Sequence, residues 1–300
     1  MAADVPSLIR WITGDEAGAE LAVARPLVVD GVEFQVAPFG GVPGDRQLVV
    51  VKPRGAIEGY RELLGHHDHP KVVELGIAFG GSVGLFALLA QPSKLVAVEL
   101  GAERVPLLDE LIASRGLEDR VHLHYGTDQA DVARLAAIVA DEFGGEPLDL
   151  VIDDASHMYD ETVASFELLF PHLRPGGEYV IEDWSADHWL RAVLVAALAD
   201  PTSPQHGWAQ EAMAGRIPSG NAGQAAQTAV AVASIDSQPA RPLSRLAAQL
   251  VLAAAEPGSG VESVVCNRFW FVVRRSGDPL QPGAFTLADA CRDPFGTISP

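Results

Sequence analysis

The sequence predicts an α/β protein with a doubly wound, Rossmann-like seven-stranded sheet. Three observations favour this fold class. From Lys71 onward, apolar runs of strand length alternate with segments of helical period. The runs are nearly continuous in apolar character, as expected for parallel strands covered by helices on both faces. A glycine-rich turn follows the first run and pairs of acids follow two later ones, at the strand ends where open α/β sheets bind ligands.

The individual elements of the sheet follow from this alternation. Five parallel strands are predicted, at 71–75, 94–100, 121–126, 148–154 and 178–183. The helices between them are expected near 82–90, 103–115, 129–143 and 160–173. Residues 261–275 contain two further apolar runs joined tightly at Asn267-Arg268, which predicts an antiparallel edge that closes the sheet.

Residues 1–60 are predicted to form an N-terminal extension that contains β structure. Asp30-Gly31 lies between two apolar runs and is a strong two-residue hairpin signal. A further strand is expected at 47–53 and a helix at 56–65, in which Tyr60 is a candidate to close over a cofactor.

Residues 61–276 are predicted to form the main domain, and 277–300 a C-terminal tail broken by Pro and Gly. Within the domain, 200–240 is rich in Pro, Gly, Ala, Gln and Ser and lacks periodicity, which is typical of a lid or binding loop. Helices are expected on either side of it, at 188–199 and 242–256.

Composition excludes several classes of protein. The net charge of −19 argues against a nucleic-acid partner, because phosphates require a positive surface. Only Cys266 and Cys291 are present, without a CxxC pair, so neither a disulfide framework nor a zinc cluster is expected. The apolar stretches fall short of the ~20 residues of a membrane span, and no secretory signal is recognised. A cytoplasmic protein is therefore predicted.

The stretch from Glu74 to Ser82 follows the first predicted strand and opens a helix. Its residues Gly76 and Gly80 permit a sharp turn and a close approach of the backbone to a ligand, with Ala78 between them. Helix amides at such a turn point towards the ligand. We predict that Glu74, Gly76, Ala78, Gly80 and Ser82 contact a cofactor.

Acids at the ends of the next strands suggest which cofactor this is. Glu99 ends the second strand, near the ~20-residue spacing at which an acid accepts both ribose hydroxyls. Asp128 follows the third strand, where it can meet an exocyclic amine. Asp153 ends the fourth and is expected either beside the cofactor or as an acceptor for backbone amides. The pattern favours an adenosine-containing ligand.

A nicotinamide dinucleotide and S-adenosylmethionine both contain adenosine. The dinucleotide usually shows a GxGxxG motif, whereas Phe79 occupies the middle of this turn. Dense acids after the fourth and fifth strands would also repel a pyrophosphate, while a cationic sulfonium tolerates them. S-adenosylmethionine is therefore the preferred interpretation.

Two acid pairs, Asp153-Asp154 and Glu182-Asp183, follow the fourth and fifth predicted strands. Neighbouring parallel strands would bring these pairs to one edge of the sheet, with His157 close behind Asp154. Such an oxygen-rich pocket suits a hard divalent cation such as Mg²⁺.

Four segments carry a resemblance to a known family: VVELGIAFGGS, VAVEL, DLVIDDASH and LFPHLRPGGEYVIEDW. Over about residues 71–184 they resemble class I S-adenosylmethionine-dependent methyltransferases. In particular they are similar to the metal-dependent macrolide sugar O-methyltransferases of the mycinamicin and macrocin type, and to the cephalosporin-hydroxylase-like group. The resemblance implies that Asp154, Glu182 and Asp183 bind magnesium and that His157, together with Asp154, is catalytic.

The predicted function is therefore a Mg²⁺-dependent O-methyltransferase acting on a sugar hydroxyl of a glycosylated natural product or oligosaccharide. A catechol or phenol acceptor is an alternative, because a catechol also chelates Mg²⁺. An NAD(P)-dependent oxidoreductase and a non-catalytic binding subunit are weaker alternatives. His188 is the alternative to His157 as base. Relatives of this type are often homo-oligomers, which is the expected assembly.

Overall fold

The computed structural model describes residues 9–11, 25–37, 46–216, 228–229, 231–233, 235 and 241–292. The chain divides into two compact units. The first contains Met1–Asp128 and Leu148–Leu150, and the second contains Gln129–Pro147 and Val151–Pro300.

The first unit begins with a four-stranded sheet in the order β1-β2-β3-β4. Its strands are β1 (Ile9–Trp11), β2 (Arg25–Val29), β3 (Val32–Val36) and β4 (Leu48–Val50). The predicted hairpin is confirmed: β2 and β3 pair antiparallel, and Asp30 (φ 46°) and Gly31 (φ 75°) both have the positive φ that a two-residue hairpin turn favours. The strand predicted at 47–53 is shorter than expected and pairs parallel with β3.

Helix α1 (Arg54–Leu64) has one buried face, which includes Ile57, Tyr60 and Leu64. Tyr60 is fully buried, and its ring centroid lies 4.7 Å from that of Phe86. The suggestion that Tyr60 closes over a cofactor is therefore wrong. A tyrosine at the buried position of an amphipathic helix belongs to the core.

The main sheet has seven strands in the order β10-β11-β9-β8-β5-β6-β7. The strands are β5 (Lys71–Leu75), β6 (Lys94–Glu99), β7 (Val121–Tyr125), β8 (Leu148–Asp153), β9 (Leu173–Glu182), β10 (Val261–Cys266) and β11 (Trp270–Arg275). The first five follow the doubly wound order, and the parallel pairing of β5, β6 and β7 agrees with the prediction. The last two form the predicted antiparallel edge, with β11 between β9 and β10. The predicted fold class is confirmed.

The helices that follow these strands are α2 (Gly81–Ala90), α3 (Pro106–Ser114), α4 (Val132–Phe143), α5 (Tyr159–Leu169), α6 (Ala186–Ala199), α7 (His206–Met213), α8 (Leu243–Ala253) and α9 (Leu287–Ala290). Most lie within a few residues of their predicted positions. The strand predicted at 178–183 is longer, since β9 begins at Leu173 and includes the glycines before it.

Two segments without clear periodicity contain ordered structure in the second unit. Helix α7 lies within 200–240, where its Ala209 and Ala212 join α6 residues Leu190 and Leu194 in a small hydrophobic cluster. In the tail, Phe285 packs against the ring of Phe170 with a centroid distance of 5.6 Å. Neither segment was predicted to pack in this way, because each is interrupted by Pro and Gly and shows no clear periodicity. No helix among the described residues is long and apolar enough to cross a membrane.

Candidate active site

The glycine turn joins β5 to α2 as predicted. The Gly76 N–H donates to the Val98 carbonyl at 2.8 Å, and the Gly80 N–H donates to the Ile77 carbonyl at 2.7 Å. Gly76 (φ 99°), Ala78 (φ 46°) and Gly80 (φ 77°) all have positive φ. Three left-handed residues in such a short stretch make a tight turn that leads into the helix amides of α2, where Ser82 lies in the first turn.

Glu99 is bonded directly to this turn. Its Oε2 accepts hydrogen bonds from the N–H groups of Ile77 and Ala78, both at 2.9 Å, and its Oε1 accepts one from Gly101 at 2.9 Å. A carboxylate accepting three amide hydrogen bonds fixes the end of β6 to the glycine turn. The two elements predicted to bind an adenosine are thus held together within the first unit.

Gly81 has a packing role that the sequence did not show. A Cβ at this position would lie 2.1 Å from the carbonyl oxygen of Val49 and 2.6 Å from the nitrogen of Val50. Strand β4 therefore passes against the first residue of α2, and a backbone bridge links Val49 to Gly80. The glycines serve helix–strand packing as well as the turn.

The other predicted cofactor residues of the first unit lie in different environments. Glu74 is fully buried on β5. Asp128 is exposed just after the end of β7, where the Thr127 N–H donates to the Glu99 carbonyl at 2.8 Å. An exposed acid is accessible to a ligand, whereas the carboxyl group of Glu74 belongs to the interior. Cofactor contacts for both remain predictions.

The second unit contains a cluster that can hold a metal ion. Asp154, His157 and Asp183 each offer one ligand atom, and these atoms all lie within 4.8 Å of one another. His157 Nε2 lies 3.6 Å from Asp154 Oδ1, and the His157 side chain is 12% exposed. Asp154 and His157 follow β8, and Asp183 follows β9, as the two acid pairs predicted.

The backbone at this cluster is unusual. His157 (φ 56°) and Asp183 (φ 52°) both adopt the left-handed conformation, which is uncommon for residues other than glycine. Such conformations concentrate at functional sites, where surrounding structure compensates their cost. His157 and Asp183 therefore have a backbone conformation that belongs neither to a strand nor to a right-handed helix.

Two residues that the sequence suggested for this site lie outside the cluster. Glu182 is buried as the last residue of β9, whereas Asp183 follows the strand with a left-handed backbone that sends its side chain in a different direction. The metal role of Glu182 remains a prediction that the cluster does not support. His188 lies on α6, where its Nε2 is 2.6 Å from Ser244 Oγ. Burial raises the pKa of the neighbouring Asp187, although the charge of His188 opposes that rise.

Asp153 lies beneath the cluster in a buried polar network. Its carboxylate accepts hydrogen bonds from Ser165 Oγ at 2.9 Å, Tyr179 OH at 3.2 Å and Gln129 Nε2 at 3.2 Å. Burial raises the pKa of Asp153 from 3.8 to about 6, although hydrogen bonds from Ser165, Tyr179 and the Ala155 backbone and the charge of His157 oppose the rise. A carboxylate bonded to three protein donors supports the end of β8. Its position does not favour the predicted contact with a cofactor, which remains untested.

Sequence reasoning missed the partners in this network. Gln129, Ser165 and Tyr179 are distant from one another along the chain, and each looks like an ordinary residue of its element. The faint signal was that Ser165 and Tyr179 occupy buried positions of α5 and β9, where a polar group requires a partner.

The donor set of the cluster fits a small divalent cation. Mg²⁺ is commonly held by one or two carboxylates, with water or substrate oxygens completing its coordination. Asp154 and Asp183 supply the two carboxylates, and the imidazole of His157 widens the choice to Mn²⁺ and related ions. The two carboxylates can thus bind an ion, while the imidazole of His157 beside them can act as a base.

The fold and these two sites define a class of protein, and a family model agrees. The model described as a methyltransferase domain matches residues 73–184, which include most of β5, all of β6 to β9, the glycine turn and the three cluster residues. This part of the chain therefore matches a methyltransferase domain, in agreement with the resemblance stated from the sequence.

Particular relatives are named as O-methyltransferases. The chain is 33% identical over 181 residues to the 8-demethyl-8-alpha-L-rhamnosyl tetracenomycin-C 2'-O-methyltransferase of Streptomyces olivaceus, a match that covers 55% of this chain and 44% of the relative. It is 50% identical over 62 residues to the mycinamicin VI 2''-O-methyltransferase of Micromonospora griseorubida, covering 21% of this chain and 15% of the relative. The matched part spans less than half of each of these curated relatives.

One similar solved structure is the MycE methyltransferase of the mycinamycin pathway in complex with Mg, SAH and mycinamycin VI. The identity is 19% and the TM-score 0.46, with coverage of 83% of this chain and 54% of the other. Nothing about the activity of this chain follows from a likeness of that degree.

Proposed function

We propose that the protein is a Mg²⁺-dependent O-methyltransferase that moves a methyl group from S-adenosylmethionine to a sugar hydroxyl of a glycosylated natural product or oligosaccharide. The observation that carries this proposal is the Asp154, His157 and Asp183 cluster in a chain with a methyltransferase domain. The printed names of the relatives, which are sugar O-methyltransferases, support the acceptor class.

We assign different residues to cofactor binding, metal binding and proton transfer. The glycine turn with Glu99 would hold the nucleoside of S-adenosylmethionine, which supplies an electrophilic methyl group. Asp154 and Asp183 would hold Mg²⁺, which supplies Lewis acidity that lowers the pKa of an alcohol and fixes its position. His157, beside Asp154, would accept the hydroxyl proton as general base. Positioning by these side chains is expected to provide much of the acceleration.

The metal role is tested by removal of the ion. We expect a chelator to abolish methyl transfer and added Mg²⁺ to restore it. Asp154→Ala and Asp183→Ala should lose calorimetric binding of Mn²⁺, used as a probe for the site. The matched control is Asp160→Asn, because Asp160 is an exposed acid that pairs with Arg241 outside the cluster. Undiminished turnover in excess chelator would refute the metal role.

The base is tested by comparison of two histidines. His157→Gln is expected to lower kcat by about 10²–10⁴. His188→Gln should keep kcat unchanged, since the His188 ring is hydrogen-bonded to Ser244. The reverse outcome would move the base to His188.

Two comparisons separate the alternatives. A panel of sugars against catechols identifies the acceptor class, because both chelate Mg²⁺ through neighbouring oxygens. Calorimetric titration with S-adenosylhomocysteine and with NADH separates methyl transfer from a nicotinamide-dependent reaction. Binding of NADH without binding of S-adenosylhomocysteine would overturn the proposal.

The segment 200–240 is also assigned a role in this proposal. We propose that 200–240 shapes the acceptor pocket, because it contains α7 and a hydrophobic cluster of its own beside α6. A cytoplasmic location and a homo-oligomeric assembly remain part of this proposal, and gel filtration with light scattering tests the assembly.

A further inference from the structure

The loop between β8 and α5 carries two of the three cluster residues. It runs from Asp154 to Met158, and it contains His157 in the left-handed conformation. This backbone conformation requires stabilisation by neighbouring residues, because the left-handed region is unfavourable for residues other than glycine. The position of the imidazole and of the Asp154 carboxylate therefore depends on contacts from outside the loop.

Gln129 provides two contacts from outside the loop, one to Ser156 in its middle and one to Asp153, the residue just before it. Its Oε1 accepts a hydrogen bond from the Ser156 N–H at 2.8 Å. Its Nε2 donates to Asp153 Oδ1 at 3.2 Å and also lies 3.2 Å from Ser165 Oγ. Gln129 is 5% exposed, so these hydrogen bonds are shielded from water.

The loop has a second internal contact that depends on the first. The Ser156 Oγ accepts a hydrogen bond from the Met158 N–H at 3.2 Å, one residue before α5 begins. When Gln129 fixes the backbone of Ser156, the hydroxyl of Ser156 fixes the residue after His157. The imidazole thus lies between two restrained residues.

We propose that Gln129 is a positioning residue for the metal cluster, which sets the conformation of the Asp154–Met158 loop through its side-chain amide. This inference rests on the proposed function, because it assigns Gln129 a role toward the ion that Asp154 and Asp183 would bind beside His157. The side-chain amide suits both contacts, because its oxygen accepts from the Ser156 N–H while its nitrogen donates to the Asp153 carboxylate.

Ser165 offers the matched comparison. It donates to Asp153 Oδ2 at 2.9 Å, as Gln129 donates to Oδ1, but no hydrogen bond joins it to the 154–158 backbone among the described residues. Ser165→Ala therefore weakens the support of Asp153 and leaves the loop contact intact. Gln129→Met, which has similar length and no hydrogen-bonding group, removes both.

The experiment measures Mn²⁺ binding by calorimetry and, without metal, the hydrogen exchange of the peptide that covers 154–158. We expect Gln129→Met to weaken Mn²⁺ binding by about 10-fold or more, the usual effect of losing an outer-shell partner of a metal ligand. Exchange in the loop should become faster. Ser165→Ala should show neither change to that extent, and both variants should bind S-adenosylhomocysteine as the unaltered protein does.

Gln129→Leu is the second variant, in case the methionine variant does not fold. Its shorter apolar side chain likewise lacks a hydrogen-bonding group, so loop exchange should become faster and Mn²⁺ binding weaker, as in Gln129→Met. Unchanged Mn²⁺ affinity and unchanged loop exchange in Gln129→Met would overturn the inference, as would an equal loss in Ser165→Ala. If the unaltered protein binds no Mn²⁺, the proposed function fails instead, and the metal-free exchange data decide the role of Gln129 independently.

Discussion

Replacement of Gly81 by alanine would place a methyl group where the backbone of β4 already lies. The added Cβ would be 2.1 Å from the Val49 carbonyl oxygen and 2.3 Å from its carbon. Both contacts are far inside van der Waals distance, and a backbone strand cannot rotate away as a side chain can. The change therefore requires β4 or the start of α2 to move.

The size of the effect follows from two opposing terms. Overpacking of a well-packed interior costs about 1–3 kcal/mol, and a backbone clash belongs at the upper end of that range or beyond it. Alanine is favoured over glycine inside a helix by about 1 kcal/mol, and by less in the first turn. We expect the free energy of unfolding to fall by about 2–3 kcal/mol, which lowers Tm by roughly 3–5 °C for a chain of this size.

The assay is thermal unfolding followed by far-ultraviolet circular dichroism, with two glycine controls. At Gly84 the new Cβ would meet the side-chain tips Leu111 Cδ2 at 2.9 Å and Leu48 Cδ1 at 3.1 Å, which can yield, so the loss should be about 1 kcal/mol. At Gly207 nothing lies within 4 Å, so the substitution should be neutral or slightly stabilising. If Gly81→Ala has the same Tm as Gly207→Ala, the close approach of β4 to α2 is refuted.

Three further predictions concern other parts of the chain. The pKa of Asp153 is raised from 3.8 to about 6, so its stabilising contribution is complete below the unfolded pKa and is lost as the pH rises through about 6. The free energy of unfolding should fall by about 3 kcal/mol from this group, and Asp153→Asn should flatten the slope in urea titrations between pH 4 and 7; an unchanged slope would contradict the assignment. Glu99→Gln replaces one acceptor oxygen by a donor, so amides of Ile77 and Ala78 or of Gly101 lose their acceptor; affinity for S-adenosylhomocysteine should fall about 10-fold by calorimetry, and full affinity would argue against the role of this tether. Phe285→Ala should lower the free energy of unfolding by about 2 kcal/mol in chemical denaturation, because its ring packs on the aromatic core, whereas no loss would mean that the tail is dispensable for stability.

Much of the fold could be predicted because its strands bury both faces. A continuous apolar run such as 95–98 leaves little choice of structure, and the Asp30-Gly31 turn requires the positive φ that it shows. Helix α7 was missed because its eight residues bury only small side chains such as Ala209 and Ala212. A short stretch of that kind carries too little periodic signal to stand out from a loop.

The candidate site was predicted in its location and only partly in its membership. Acid pairs at strand ends indicated Asp154 and Asp183, and the structure brings both to the cluster. Glu182 could not be separated from Asp183 by sequence, since the turn of the backbone at Asp183 decides which carboxylate faces the site. Gln129 was not predicted because its partners, Asp153 and Ser156, are more than 20 residues away in the sequence and come close to it only in the folded chain.

The alanine-rich cluster of α6 and α7 has a consequence for how this chain can change. Its packing involves Leu190, Leu194, Ala197, Ala209, Ala212 and Ala231. Because this patch is a core of its own, mutations inside it are expected to add to those in the strands with little coupling. Ala209 and Ala212 are almost fully buried, so larger side chains at these positions would overpack the contact between α6 and α7. Such changes are expected to shift α7 against α6 and to leave the strands of the main sheet in place.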